Sequence, residues 1–186
     1  MSLSTTSVKR SPLHKRAVTV EVFEREDGLW DLDAVLVDTK SYDFPLFEGG
    51  VHPAGQPVHH MLLRITIDDS YTIVDAAVQY EAAPYKICAT IADDYRQLIG
   101  LNLLRGFRHD VRARLAGRYG CTHMTELTNV LPTAAVQGIA TRLNRIKATT
   151  QQQDKRPFHI DGCHALRADG DIVRVYYPKW YEKPDT

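Results

Sequence analysis

The period of hydrophobic residues changes once along this chain, and that change constrains the fold more than any single motif does. Between residues 17 and 82 apolar residues recur every second position. Val18, Val20 and Val22 alternate with polar neighbours, and so do Trp30, Leu32, Ala34 and Leu36. Asp27-Gly28 between these runs is a hairpin signal. "VHHMLLRITID" (58–68), "DDS" and "YTIVDAAVQYEA" (71–82) repeat the arrangement as strand, turn and antiparallel return. From Cys88 the period lengthens to that of a helix. Ile91, Tyr95, Leu98 and Ile99 share one face, then Phe107, Val111 and Leu115, then Leu127, Leu131, Ala134, Ala135, Ile139, Leu143 and Ile146, with Pro132 kinking or restarting the last run.

Strands gathered ahead of helices predict an α+β protein: an antiparallel β-meander followed by helices packed on one face. A long loop of glycine and proline (41–57) separates the two strand pairs. Residues 1–16 read as a flexible basic arm and 17–186 as a single domain, which suits a chain of 186 residues. The segment "FHIDGCHALRADGDIVRVYYPKWY" is expected to close the chain as a C-terminal β-hairpin turning at Asp169-Gly170.

Charge excludes more than it suggests. Lys plus Arg and Asp plus Glu both number 23, so the net charge is zero and no bulk attraction to nucleic acid follows. No apolar run approaches the roughly 20 residues that span a bilayer, and the start lacks a secretory pattern. A cytoplasmic protein is expected. Three cysteines cannot all pair internally, so cysteine here is core filler, metal ligand or reactive thiol.

The chemistry-bearing residues gather at element starts. Cys88 opens the first helical run, and Cys121 opens a later one with His123 two residues on. Helix starts favour negative charge and hence thiolates. His59 and His60 begin a central strand, where alternation lets only one face the helices. Two cysteines and two histidines suit tetrahedral zinc. The spacing matches no diagnostic zinc pattern, and on spacing alone small buried cysteines with ordinary histidines explain it better. A second cluster holds His159, Asp161, Cys163 and His164. "DTKSYDF" places Asp38, Lys40 and Asp43 at a strand end as an ion-pair corner.

Two resemblances bear on this choice. "DGLWDLDAVLVDTKSYDF", "PVHHMLLRITID", "PYKIC", "GCTHMTEL" and "DGCHALRADGDIVRVYYPKWY" resemble a bacterial family of uncharacterised proteins, domain of unknown function 2889, over about 17–181. That resemblance implies no reaction. More distantly, residues 51–145 resemble the U-type iron–sulfur cluster scaffold proteins. His59 falls near that family's ligand aspartate, Cys88 on its helix-opening cysteine, and Cys121 and His123 near its later histidine–cysteine pair, in reversed order. No cysteine occupies the first scaffold position, and "ATIADDY" replaces a glycine–serine-rich stretch. The resemblance therefore implies the scaffold-like fold and a ligand set of His59, Cys88, Cys121 and His123 for zinc or iron, more than a labile iron–sulfur cluster.

Three functions follow as expectations. The first is a metal protein, structural or catalytic, with Asp161, Cys163 or Glu126 as acid–base groups. The second is a metal-free thiol enzyme acting on a small molecule, with Cys121 or Cys88 as nucleophile and His123 or His59 as base. The third is a binding or assembly module that uses the 41–57 loop and Tyr176, Tyr177, Trp180 and Tyr181, including a homodimer through those aromatics.

Overall fold

The computed structural model describes residues 7–47, 49–148 and 155–183, with side chains described outside 144–148. The chain divides into two compact units, Met1–Leu143 and Asn144–Thr186. No helix among the described residues is long and apolar enough to cross a membrane.

The first unit is built on a four-stranded antiparallel sheet in the order β1 (His14–Glu24), β2 (Trp30–Lys40), β5 (Pro57–Ile67) and β6 (Ile73–Ala82). β1 and β2 form the expected hairpin, with Gly28 at φ 82 in its turn, a conformation that glycine adopts without steric cost. The 41–57 loop contains a two-stranded ribbon, β3 (Phe44–Pro45) with β4 (Val51–His52). β1 already begins at His14, so the last residues expected in the basic arm are strand residues.

Alternation sets which sheet face is buried. In β2, Trp30, Leu32, Ala34, Leu36 and Asp38 are buried while the residues between them are half-exposed. In β5, Met61, Leu63, Ile65 and Ile67 are buried in the same phase. Each fully buried aliphatic side chain contributes about 1.5–3 kcal/mol. The helices cover this face. The segment Lys86–Leu98 packs on β6. It is a 3-10 helix, where the sequence period reads as an ordinary helix. In a 3-10 helix residues three apart eclipse one another, and Tyr95 and Leu98 are its buried pair.

α1 (Phe107–Leu115) buries Phe107, Val111 and Leu115, the expected face. α2 (Thr122–Thr128) packs across β2 and β5. α3 (Leu131–Ala148) starts where Pro132 requires a restart, with the proline in the first turn, where its missing N–H leaves no carbonyl unpaired. Leu131, Ala135, Ile139 and Leu143 of α3 join the core. Gly138 meets the sheet closely: a Cβ there would lie 2.8 Å from Val22 Cβ.

Among its described residues the second unit has short helical turns and no strand, and this corrects the expected C-terminal β-hairpin. Residues His164–Leu166 form a 3-10 turn, Asp171–Tyr176 form α4, and Pro178–Trp180 a further 3-10 turn. Asp169-Gly170 leads into a helix: Gly170 is the N-cap of α4 and Asp171 supplies an acidic first turn. The same dipeptide signals a hairpin only when both flanks pair as strands. A small core of Ile160, Ala168 and Val173 is flanked by Tyr177, Trp180 and Tyr181.

Candidate metal centre

A polar row sits at one end of the buried sheet face. Arg16, Asp38 and His59 are cross-strand register partners on β1, β2 and β5. Each lies in phase with its strand's inward residues: Arg16 with Val18 and Val20, Asp38 with Leu36, His59 with Met61. The apolar stripe of the sheet thus ends in three chemically active side chains that point the same way. The β2–β5 register shifts just after Asp38, and such an irregularity ends pairing and re-aims side chains.

Asp38 is 2% exposed, and its carboxylate gathers every nearby donor. Arg16 donates to both oxygens, Nε to Oδ1 and Nη2 to Oδ2, each at 2.8 Å. His14 Nε2 lies 3.1 Å from Oδ1, and His59 Nδ1 lies 3.1 Å from Oδ2. Burial alone would raise the Asp38 pKa. The hydrogen bonds and charge of Arg16, helped by His59 and His14, outweigh burial and hold it below the usual carboxylate range. Arg16 is raised in turn, with the Asp38 hydrogen bond its largest cause. Its remaining Nη1 donates to Glu126 Oε2 on α2 at 2.5 Å.

α2 supplies the last member. His123, in its first turn, places Nε2 3.9 Å from Asp38 Oδ2, and its ring stacks on His59 with centroids 3.8 Å apart. Burial and the charge of His123 lower the pKa of His59 against the opposing pull of Asp38, so its imidazole is neutral at pH 7. The placement of α2 depends on its lead-in. Cys121 N–H donates to the Tyr95 hydroxyl, which donates to the Cys121 carbonyl, both at 2.9 Å. Gly120 passes so close to the chain before it that a Cβ would lie 2.2 Å from the Leu115 carbonyl oxygen.

Asp38, His59 and His123 each offer one donor atom, and these atoms lie within 4.8 Å of one another. Two imidazoles and a carboxylate are the donor types that bind divalent transition metals, and the group could hold such an ion. Of the residues expected as ligands, the structure brings His59 and His123 together. Cys88 and Cys121 are free thiols, both half-buried, and lie outside this group. Tyr80, on β6, lies near both thiols. Its hydroxyl is buried with no hydrogen-bond partner among the described residues. Burial, with Cys121 next in effect, pushes its pKa up.

By sequence alone Asp38 stands at a strand corner with no metal role, and Arg16 and His14 belong to the expected arm. The signal lies in the alternation: Arg16 stands two residues before Val18 and Asp38 two after Leu36, with His14 two positions further out. Glu126, expected as an acid–base group, is engaged by Arg16.

In the second unit, Asp161 holds its own loop together. It adopts φ 63, accepts Ala168 N–H at 2.7 Å and pairs with Arg156 at 2.5 Å. His159 stacks edge-on with Tyr177, and Cys163 is exposed.

The class defined is an α+β protein whose antiparallel sheet ends in a buried Asp/His/His cluster capped by a helix. The chain belongs to the family described as Protein of unknown function (DUF2889), whose model matches residues 14–137. The match opens on the first residue of β1 and closes inside α3, so it contains every member of the cluster. No curated protein and no solved structure matches the chain.

Proposed function

We propose that this protein binds a divalent transition metal, zinc or ferrous iron, through Asp38, His59 and His123. One observation carries the reading: three donor atoms of metal-ligating type converge within 4.8 Å at a buried carboxylate. The protonation states suit a metal. Asp38 is ionised and His59 is neutral, as ligation requires. His59 presents Nδ1 to Asp38, and an ion bound there would replace the proton shared between them, leaving the imidazole proton on Nε2.

Arg16 and Glu126 take supporting parts. Arg16 orients Asp38 by a two-point grip, as partners of ligating carboxylates do. Glu126 offsets the charge of Arg16 and ties the grip to the helix that carries His123. Three protein donors leave coordination positions for water or substrate, the condition for Lewis-acid or water-activating chemistry. The donor set has no thiolate, which favours a mononuclear ion over an iron–sulfur cluster.

The test is equilibrium dialysis of the full chain against zinc and, anaerobically, ferrous iron, followed by elemental analysis. Wild type is expected to retain about one ion per chain. Asp38→Asn and His123→Ala are expected to lose it, and Cys121→Ser to keep it. Retention of metal by His123→Ala would overturn the assignment.

A further inference from the structure

A cleft of about 480 Å³ opens between α1 and α2, on the side of α2 away from the first-turn histidine. That volume is in the range of small-molecule sites. Its base is closed by the buried Val111 and Leu115, with the half-buried Ala116 beside them. Arg108 and Arg112 stand on the α1 wall, four residues apart and so on one helix face. Thr122, Thr125, Glu126 and Asn129 form the α2 wall.

The charge in this cleft is not balanced internally. Eight other arginines each lie within 4.0 Å of a carboxylate, from Arg16 with Asp38 to Arg174 with Asp171, while Arg105, Arg114 and Arg118 show none among the described residues but do not line this cleft. Arg108 instead makes one 3.3 Å bond to the Asn129 carbonyl. Arg112 has no ion pair among the described residues. The one carboxylate lining the cleft, Glu126, is already held by Arg16 at 2.5 Å. Two guanidiniums therefore face a pocket whose only acid is spoken for.

We infer that this cleft binds a small organic anion, with a carboxylate or phosphate head on Arg108 and Arg112 and a short apolar body against Ala116 and the aliphatic stems of the arginines. Arginine suits such heads because its planar fork donates two parallel hydrogen bonds to one oxyanion. Thr122 adds a hydroxyl at the rim. The cleft also borders the metal centre through shared side chains: Glu126 lines the one and grips Arg16, which grips Asp38 of the other. A ligand here would sit one ion pair from the Asp/His/His cluster. The inference rests on the cleft and stands apart from the metal reading.

The test is an NMR titration of the full chain with benzoate, phenyl phosphate and inorganic phosphate, with and without EDTA. Saturable amide shifts within residues 108–129 are expected for benzoate, phenyl phosphate or both, and the better ligand identifies the head group. Arg112→Gln and Arg108→Gln are each expected to weaken binding about tenfold. Arg114→Gln, whose arginine bonds the Gln97 carbonyl outside the cleft, is expected to leave it unchanged. No saturable shift with either organic anion would overturn the inference. Wild-type affinity in both cleft variants would do so too, as would inorganic phosphate binding as tightly as phenyl phosphate. Binding that persists in EDTA keeps this result separate from any failure of the metal assignment.

Discussion

Asp38 and His59 stand opposite each other on β2 and β5, and Asp38 Oδ2 lies 3.1 Å from His59 Nδ1. A cross-strand pair at the end of an apolar stripe normally continues the core. Here it replaces the core with a carboxylate and an imidazole, and β1 and α2 each bring a further partner. The cost of burying that carboxylate is offset by Arg16, so the first prediction concerns that pair.

Arg16→Leu leaves Asp38 buried without its two-point partner. The loss is expected to be about 3 kcal/mol, at the low end for a broken buried pair because His14 and His59 remain beside the carboxylate. Urea denaturation of the metal-free protein measures it. A change below about 1 kcal/mol, the scale of an exposed ion pair, would show that Asp38 is better solvated than its burial implies.

Tyr80→Phe is expected to stabilise the protein at neutral pH by about 1 kcal/mol, because it removes a buried hydroxyl that among the described residues has only the weakly accepting Cys121 sulfur beside it. The effect grows in alkali. The folded-state pKa of Tyr80 is raised above its unfolded value of about 10. Stability linked to the protonated hydroxyl is therefore complete below pH 10 and is lost as pH rises through the folded value. Wild type should lose midpoint denaturant concentration above pH 10 faster than the phenylalanine variant. Parallel pH profiles would contradict this.

Gly120→Ala is expected to destabilise by at least about 2 kcal/mol, since the new methyl meets the Leu115 carbonyl at 2.2 Å. The same shift should disturb the paired Tyr95–Cys121 bonds that place α2, so metal affinity should fall as well. Thermal melting and metal titration on one sample check both parts. A variant with wild-type melting would show that this turn relaxes freely.

Much of this architecture was legible from period alone. The β1–β2 hairpin, the β5–β6 return and the restart at Pro132 all follow from local chemistry. The C-terminal unit was not, because Asp-Gly serves a hairpin turn and a helix lead-in equally well, and "DIVRVY" (171–176) is short enough to suit either. His59 and His123 were legible as candidates because histidines at element starts are conspicuous. Arg16 and Asp38 were harder to see. A charged residue in phase with an apolar stripe looks like the stripe's end, and only pairing of β1 with β2 brings these two together. Cysteine drew attention for its chemistry, while the converging donors are nitrogen and oxygen.

The most direct measurement is X-ray absorption at the zinc edge on the zinc-loaded protein. The account predicts a first shell of nitrogen and oxygen alone, at about 2.0 Å. Sulfur scatterers at about 2.3 Å would contradict it and place Cys88 or Cys121 on the metal instead.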